Sequence, residues 1–425
     1  MFIRHRAVFV SMGKFIIMIT QLKIENYKSI QELTLDVGRV NVLIGENGCG
    51  KSNILEAITF AAAAEANDLK DNSLEIRGIR LSNPELMRSA FEKTQQEKIK
   101  ITLHAIFNKY YILKNENDVY SEWVLDKTLE NEMLKIFNVP PPPDTYCEIE
   151  GDEDICEQTN DETHEEYAFR DIMDKFQKFI IYSPENSILR DFSLPPKIKP
   201  LGDKGEGLLN LLIYTQYNAH KSQKFSELND IQETLALFGW FEAIKIPDDF
   251  SLLNKKITLQ DRYLALPFDH RSANEGFLLV LFYITLVVSK YTPKIFAIDN
   301  IDTSLNPKLC SKLIEELARL AKKYDKQIFL TSHNPAILDG IDLGDEEGQR
   351  LFVVSRNREG RTRCKRITIE NKPKSSIRDR LSRVLNENEN YTKQDVLALF
   401  DNSKEPVKLS EAFLRGYLGG LPKGF

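Results

Sequence analysis

Apolar positions along the chain fall into short runs whose lengths alternate between those of strands and those of helices. The run Val40–Ile44 is followed, after one polar loop, by ILEAITFAAAAEA, which has the composition of a helix. Further along, the short runs 294–298 and 327–331 alternate with helical segments at Lys308–Tyr324 and Pro335–Leu338. Strands that alternate with helices pair in parallel, so the pattern predicts an α/β fold.

Residues 67–267 separate these two groups of runs and carry a pattern of their own. Lys98–Lys114 and the residues around Trp123 alternate as strands do, whereas Glu165–Lys178 has helical spacing. A stretch of this length cannot be a single connection in a compact domain. We therefore predict an inserted, mixed α/β lobe. The rest of the chain then divides into the two halves of one head, 19–66 and 268–355, and a C-terminal extension, 356–425.

Charge is distributed unevenly along the chain, although the formal net charge is only −6. Between Asp144 and Asp174 there are 13 acidic residues against one basic residue, Arg170, and this block follows the prolines at 140–143. Proline-flanked runs of like charge with few apolar residues are typical of solvated loops or disordered inserts. We interpret 140–174 in this way, with a docking surface for a basic partner as the alternative.

The longest apolar run, Phe277–Val288, has 12 residues. A helix needs about 20 apolar residues to cross a bilayer, so the run predicts a buried helix and no membrane partner. The first residues have some features of a signal peptide, but Lys14 interrupts their apolar run, and we expect Met12 or Met18 to be the natural start. The five cysteines lack the paired spacing of a metal site, which favours a reducing, cytoplasmic location.

The run GENGCGKS at Gly45–Ser52 lies between the first predicted strand and its helix. In the pattern G-x-x-x-x-G-K-[ST], glycines let the loop turn its backbone N–H groups toward a phosphate. Lys51 then reaches the β- and γ-phosphates, and Ser52 ligates Mg²⁺. A glycine-rich turn without a ligand is the alternative, and it leaves Lys51 without a role. The loop residues predicted to bind ATP are Gly45, Asn47, Gly48, Cys49, Gly50, Lys51, Ser52 and Asn53.

Two later strands end in polar residues that should meet this loop at one edge of a parallel sheet. IFAID ends at Asp299, in the form of a buried strand that delivers a carboxylate beside the Mg²⁺ held by Ser52. We therefore predict Ser52 and Asp299 as the metal ligands. IFLTSH ends at His333, which could contact the γ-phosphate or the attacking water. Capping of the following helix is the alternative for His333.

A Ser-x-Asn-Glu-Gly turn precedes the buried apolar helix. A helix start that carries Ser272 can offer backbone N–H groups and a hydroxyl to an anion. An ordinary N-cap explains the same residues. From this segment alone, the two interpretations are equally good.

Six features follow one another along the chain: the phosphate loop, the long insert, the Ser-containing turn, the IFAID strand, the SLNP segment and the strand-end His. This order resembles that of the ATP-binding-cassette branch of P-loop ATPases. Within that branch the chain is similar to the RecF/SMC/OLD-like group, often labelled AAA family ATPase in bacteria. The resemblance covers Ile19–Ala64 and Phe268–Phe352. The C-terminal KLSEAFLRGYLGGLP is similar to closing segments of members tied to anti-phage defence islands. OLD-type relatives add a Toprim nuclease that needs an Asp-x-Asp pair, and no such pair follows His333.

The resemblance implies an ABC-ATPase-like head that binds ATP and Mg²⁺ and closes as a head-to-tail dimer or a larger oligomer. In that family Ser272, Asn274 and Glu275 would belong to a signature motif, which binds the γ-phosphate of ATP held by a second subunit. Here Ala273 and Asn274 replace the usual glycines. Asn tolerates left-handed backbone angles better than other non-Gly residues, so we expect Asn274 to adopt them and preserve the turn.

Asn300 departs from the family pattern at the residue after Asp299, where members usually carry Glu. That Glu accepts a proton from the attacking water or orients it, whereas an amide can bind a water but cannot accept its proton. General-base assistance is typically worth about 10²- to 10⁴-fold, so we expect weak hydrolysis and intact ATP binding. Asp302 and His333 are the candidates to act as base in place of the missing Glu.

Residues 356–383 carry 11 Lys or Arg against three acidic residues. The first part, RLFVVSRNREGRTRCKRITI, is patterned as a hairpin, and SIRDRLSRVL is patterned as a helix. A basic patch of this kind suits contact with a phosphate backbone without sequence readout, so nucleic acid is a candidate partner. A solvated face that balances the acidic block is the alternative.

Together these features predict a nucleotide-gated switch or scaffold in bacterial anti-phage defence. It would hydrolyse ATP slowly, associate with itself and control a separate effector such as a nuclease or a toxin. A RecF-like DNA repair or recombination ATPase is the alternative. A transporter ATPase subunit is a third and weaker one, because the long insert and the basic tail are foreign to such heads.

Overall fold

The computed structural model of the chain describes residues 18–91, 98–117, 121–126, 163–191, 194–247, 257–345, 348–368, 408–414 and 418. The helix predicted at 376–385 and most of the acidic segment 140–174 lie outside these residues, so both stay predictions. No helix within the described ranges is both long and apolar enough to span a membrane.

The head is built around a six-stranded sheet. Its strands are β3 (Val40–Ile44), β7 (Ile181–Tyr182), β11 (Ile295–Ile298), β12 (Gln327–Ser332), β13 (Gln349–Arg356) and β14 (Thr362–Ile367). Their order is β14-β13-β3-β12-β11-β7, and every neighbouring pair is parallel except β13 and β14. Strands β3, β11 and β12 are buried on both faces, which explains their continuous apolar runs. The predicted strands 294–298 and 327–331 and the hairpin that forms β13 and β14 are confirmed.

A second sheet joins the opening strands of the chain to the segment 67–267. Its strands are β1 (Gln21–Tyr27), β2 (Ile30–Asp36), β4 (Lys98–His104), β5 (Asn108–Lys114) and β6 (Val124–Leu125). They are antiparallel and ordered β2-β1-β4-β5-β6. The segment predicted as an inserted lobe therefore contributes strands to both sheets, because β4 pairs with β1 and β7 pairs with β11. Its strand pattern at Lys98–Lys114 is confirmed, and its domain boundaries stay a prediction.

Helices cover the six-stranded sheet on both faces. The helices are α1 (Lys51–Glu65), α2 (Asp71–Ile76), α3 (Pro84–Met87), α4 (His164–Phe176), α5 (Asn186–Arg190), α6 (Leu208–Ser222), α7 (Ser226–Leu235), α8 (Glu275–Val288), α9 (Pro307–Lys323) and α10 (Leu409–Leu414). Val42 of β3 points into a core with α8 and α9, while the next residue, Leu43, points into a core with α1. This alternation is what the two-residue period of a strand requires. Every residue of α8 after Glu275 is buried, which confirms the predicted buried helix.

A small antiparallel sheet leads into the turn before α8. Its strands are β8 (Phe241–Lys245), β9 (Thr258–Asp261) and β10 (Phe268–Asp269). The rings of Trp240 and Phe241 lie 5.1 and 5.5 Å, centroid to centroid, from the ring of Phe277 in the first turn of α8. Aromatic contacts of this kind fix the small sheet against the start of the helix.

The C-terminal helix α10 packs against the segment that follows β12. That segment, Pro335–Gly340, is a 3₁₀ helix where the sequence predicts a helix at Pro335–Leu338. Ser410 Oγ donates to Asp339 Oδ2 at 2.7 Å, and Ser410 N donates to Asp339 Oδ1 at 3.1 Å. Leu409 and Phe413 are buried in the core beside α8 and α9, so the helix adds to that core.

Candidate nucleotide-binding site

The loop Gly45–Gly50 connects β3 to α1 at the carboxyl edge of the parallel strands. Gly48 and Gly50 have φ of 75° and 104°, the left-handed region that favours glycine. Strand β14 holds the loop from outside, because Thr362 Oγ1 donates to Cys49 O at 3.0 Å. A Cβ on Gly50 would lie 2.1 Å from Thr362 Oγ1, so this position has room only for glycine. The loop therefore has the shape that its sequence predicts for binding a phosphate.

Lys51, the first residue of α1, is buried at 7% exposure. Its Nζ donates to Gly45 O at 2.7 Å and to Glu46 O at 2.8 Å, so the ammonium lies inside the loop. The third donor of the ammonium faces Cys49 Sγ at 3.9 Å, a weak acceptor that a phosphate oxygen can replace. The two short bonds are to backbone oxygens, so the main chain of the loop fixes the position of the ammonium.

Asn47 and Cys49 lie in the loop, and Asn53 lies in the first turn of α1. Asn47 is exposed at the loop tip. The Cys49 side chain is buried, and burial raises the pKa of its thiol. Asn53 Nδ2 donates to Ser29 Oγ at 2.7 Å, and its Oδ1 accepts from Arg80 Nη2 at 3.4 Å. The side chain of Asn53 thus joins the first turn of α1 to the turn between β1 and β2.

Ser52 and Asp299 meet across the sheet edge, as their predicted role as metal ligands requires. Ser52 Oγ lies 3.0 Å from Asp299 Oδ2 and 3.4 Å from Oδ1. Thr331 Oγ1 donates to Asp299 Oδ1 and accepts from Asn300 N at 2.9 Å. A hydroxyl and a carboxylate are the oxygen ligands that Mg²⁺ prefers, and such sites take their remaining ligands from phosphates and water. The residues present therefore fit a magnesium ion bound together with ATP.

Asn300 follows Asp299 and lies exposed at the end of β11. Its φ is 54°, a left-handed conformation that Asn tolerates better than most residues. Thr303 Oγ1 donates to its carbonyl oxygen at 2.8 Å, which closes the turn after the strand. The amide side chain is thus placed beside the metal ligand and open to solvent.

Asp302 and His333 form a pair at the ends of β11 and β12. His333 Nδ1 lies 3.4 Å from Asp302 Oδ2, and the two side chains are 54% and 3% exposed. Asp302 Oδ1 is buried without a hydrogen-bond partner among the described residues. Burial, followed by the charge of Asp302, raises the pKa of the Cys310 thiol to about 11. The alternative role for His333, capping the next helix, is wrong, because Asn334 Oδ1 accepts the cap bond from Ala336 N at 3.0 Å.

The turn before α8 differs from its predicted conformation. Asn274 has φ −66° and ψ 154°, so the expected left-handed angles are wrong. The chain enters α8 in an extended conformation, and Asn274 is its N-cap, with Oδ1 accepting from Phe277 N at 2.8 Å. An extended N-cap does not need glycine, which explains how the turn tolerates Ala273 and Asn274. Ser272, which could itself have capped the helix, ends a 3₁₀ turn at His270–Ser272.

Ser272, Asn274 and Glu275 are all exposed. No hydrogen bond or ion pair between described residues connects them to the loop Gly45–Gly50 or to Asp299. The chain thus brings Lys51, Ser52, Asp299 and Asn300 together and presents the signature-like turn separately. The segment after β11 does reach this region, because a Cβ on Gly276 would lie 2.9 Å from Ser304 O.

Three basic residues that make contacts near the site were missed from the sequence. Arg80 Nε and Lys28 Nζ each lie 2.5 Å from a carboxylate oxygen of the buried Glu56 on α1. Arg190, at the end of α5, donates to the carbonyl oxygens of Arg271 and Ala273. None of these contacts has a local sequence signal, because the partners are 24 to 83 residues apart.

Three comparisons place the chain among known proteins. A model of the family described as "AAA domain, putative AbiEii toxin, Type IV TA system" matches residues 40–339. The DNA replication and repair protein RecF of Staphylococcus epidermidis is 42% identical over 57 residues, and RecF of Bacillus mycoides is 38% identical over 60 residues. These matches cover 13% and 14% of this chain and only 15% and 16% of the two RecF proteins.

Among solved structures, similarity extends over most of the chain at low identity. An SMC head bound to the C-terminal winged-helix domain of ScpA is 13% identical, with 83% of this chain and 98% of that chain covered and a TM-score of 0.49. The SMC head domain of Thermotoga maritima is also 13% identical, with 83% and 99% covered and a TM-score of 0.43.

Proposed function

The chain belongs to the AAA-domain family and is an ABC-type P-loop ATPase of the RecF and SMC group. From that premise we propose that it is a nucleotide-gated switch. The switch operates in the cytoplasm, in bacterial anti-phage defence. It controls a separate effector protein such as a nuclease or a toxin. Support for the defence role comes from the family description, which names a toxin of a type IV toxin–antitoxin system.

One observation carries the switch: each chain has a complete phosphate loop and a separate, exposed signature-like turn. The phosphate loop holds Lys51, and the next residue, Ser52, contacts Asp299. Ser272 is connected to none of these three residues by a hydrogen bond within the described part of the chain. ATP on one copy would therefore meet Ser272 of a second copy. Contacts that form only in the closed pair give ATP a different affinity for the open and closed states, which is the requirement for a switch.

Hydrolysis in this proposal is slow. The Asn300 amide, beside Asp299, binds and orients the attacking water but cannot take its proton. His333 accepts that proton, and the carboxylate of Asp302 stabilises the resulting imidazolium at Nδ1. A bound Mg²⁺ would supply positive charge at the phosphate oxygens, with Ser52 and Asp299 as its protein ligands.

The first experiment tests nucleotide binding and closure together. Calorimetry with MgATP should give a measurable affinity for the full chain, and Lys51→Ala should weaken it by about 100-fold or more, because the loop loses the ammonium that reaches the phosphates. Lys221→Ala, which removes an exposed lysine from α6, is the matched control and should bind as the wild type does. Sedimentation of the wild type should show a larger species with MgATP than without. Unchanged sedimentation would contradict the switch.

The defence role has its own test. Bacteria that carry the chain with its neighbouring genes should resist a panel of phages better than bacteria with Lys51→Ala in the same genes. Equal plating of every phage on both strains would contradict the role in defence, while leaving the ATPase itself intact.

A RecF-like role in DNA repair is the second candidate, and two observations favour it. The chain matches RecF proteins over about 60 residues, and strand β14 exposes Arg363 and Lys365 on one face. Exposed cations on one strand suit contact with DNA phosphates. This role predicts that double-stranded DNA stimulates ATP turnover and that Arg363→Ala with Lys365→Ala reduces the salt dependence of DNA binding. If the wild type and the double variant bind DNA equally at every salt concentration, the RecF-like role is contradicted.

A further inference from the structure

Arg190 connects the strand beside Asp299 to the signature-like turn. It ends helix α5, which begins four residues after β7. The last residue of β7, Tyr182, accepts a hydrogen bond from Asp299 N at 2.9 Å. The chain therefore runs from Tyr182, the partner of Asp299, to Arg190 through a single short helix, α5.

The guanidinium of Arg190 binds the backbone of the turn at two points. Nη1 donates to Arg271 O, and Nη2 donates to Ala273 O at 2.8 Å. The backbone of Arg190 makes a third contact, because its carbonyl oxygen lies 3.2 Å from His270 Nε2, which must carry the hydrogen since a carbonyl only accepts. Three successive contacts thus hold the segment 270–273 against the end of α5.

These contacts determine where the turn's N–H groups point. In a trans peptide the C=O and the following N–H point in opposite directions. The carbonyls of Arg271 and Ala273 face the guanidinium, so the N–H groups of Ser272 and Asn274 face away from it. Within the described residues neither N–H donates to an acceptor, and the N-terminus of α8 follows directly. Two aligned amides beside a helix N-terminus are suited to bind an anion.

The packing of helix α5 fixes the backbone position of Arg190. Leu189 is fully buried, and a Cβ on Gly205 would lie only 2.5 Å from its Cδ2. Leu189 therefore fills a space shaped by Gly205 at the side of α8. The next residue, Arg190, therefore has a fixed backbone position. Its planar guanidinium loses little further side-chain entropy when it binds the two carbonyl oxygens.

We propose that Arg190 is a positioning residue that aims the amides of Ser272 and Asn274 at the γ-phosphate of ATP bound to a second copy of this chain. The inference rests on the proposed switch. It adds the group that prepares the turn for the phosphate, and it gives the turn a direct connection to the strand end beside Asp299. A shift of that strand end when nucleotide binds moves α5, and Arg190 carries the shift to the turn.

The test compares Arg190→Ala with Arg77→Ala. Arg77 is a matched control, because its Nη1 also donates to two backbone carbonyls, Gln177 O at 2.7 Å and Phe179 O at 3.3 Å, on the segment that leads into β7 and not on the turn before α8. Affinity of dilute protein for a fluorescent ATP analogue reports the phosphate loop alone. Sedimentation with Mg²⁺ and a non-hydrolysable ATP analogue reports closure.

Arg190→Ala should weaken nucleotide-dependent association by about tenfold or more while its affinity for the fluorescent analogue stays within about twofold of the wild type. Arg77→Ala should leave both quantities near the wild-type values. Arg190→Lys keeps the charge but not the planar fork, and should associate with intermediate strength. If Arg190→Ala does not fold, the comparison of Arg190→Lys with Arg77→Lys decides in the same way.

Two outcomes overturn the inference. One is association of the Arg190 variants that equals the wild type. The other is an equal loss of association in the Arg190 and Arg77 variants, which would mean that only general stability had changed. A wild-type chain that does not associate with nucleotide at all contradicts the proposed switch instead, so the two failures are distinguishable.

Discussion

His333 Nδ1 lies 3.4 Å from Asp302 Oδ2, so an exposed imidazole at one strand end is backed by a buried carboxylate at the next. The two strands, β11 and β12, are parallel neighbours, which fixes the spacing of their ends. Because the other carboxylate oxygen of Asp302 has no hydrogen-bond partner in the described part of the chain, its charge is free to act on the imidazole. This arrangement orients the ring, with Nδ1 toward Asp302.

His333→Ala should therefore lower the rate of ATP hydrolysis by about 10²-fold, the lower end of the range for a lost general base. Asp302→Asn should have a smaller effect, because it removes the charge but keeps the shape. ATP affinity should change little in both variants. Steady-state phosphate release and calorimetry measure the two quantities. Hydrolysis at the wild-type rate in both variants would remove the pair from the mechanism.

Asn300→Glu should raise the rate of hydrolysis, because a carboxylate beside Asp299 can accept the proton that the amide cannot. Asn300→Gln is the matched control: it lengthens the side chain without adding a base and should not raise the rate. Both variants place a residue less tolerant than Asn at φ 54°, which costs about 1 kcal/mol of stability. Phosphate release at saturating ATP is the measurement. A rate for Asn300→Glu no higher than that of Asn300→Gln would show that position 300 does not limit hydrolysis.

Gly276→Ala should destabilise the chain by about 1–3 kcal/mol, the usual range for overpacking. Its new Cβ would lie 2.9 Å from Ser304 O, a backbone atom that cannot rotate away. Gly239→Ala is the control, because nothing lies within 4 Å of the Cβ added there. Denaturant unfolding of both variants measures the difference. Equal stability of the two would mean that the turn after β11 adjusts freely.

Arg271 should stabilise the turn before α8 only above strongly acidic pH. Its hydrogen bond lowers the pKa of the Asp269 carboxyl to about 2, below the value of about 4 expected in the unfolded chain. A depressed folded-state pKa contributes stability that is present above pH 4 and is lost as the pH falls toward 2. The stability difference between wild type and Arg271→Ala should therefore shrink over that interval. It should be small even at neutral pH, because the arginine is largely exposed. Urea unfolding at several pH values measures it, and a difference independent of pH would contradict the assignment.

The sequence predicts the parts of the site whose signals are local. Lys51 and Ser52 follow a glycine-rich loop of recognised spacing, and Asp299 and His333 end short apolar runs, so periodicity alone places all four at one sheet edge. Arg190 carries no such signal, since its partners Arg271 and Ala273 come more than 80 residues later.

The conformation of Asn274 was mispredicted for a different reason. Asn is common both in left-handed turns and as a helix N-cap, and the choice between them depends on where α8 begins. The pairing of β4 with β1 is equally beyond local pattern. An alternating strand shows which face is buried but not which strand will lie beside it.

Strand β3, which carries the phosphate loop, lies between β12 and β13, and those strands come almost 300 residues after it. During synthesis at about 5–20 residues per second, β3 therefore waits roughly 15 to 60 s for its two hydrogen-bonding neighbours. All five of its residues are buried in the finished fold, so the apolar residues of this segment lack their final neighbours for that whole interval. Until β12 and β13 emerge from the ribosome, the sheet edge that carries the loop is incomplete, and the loop cannot be a nucleotide site. A chaperone that covers short apolar segments would protect β3 in the meantime.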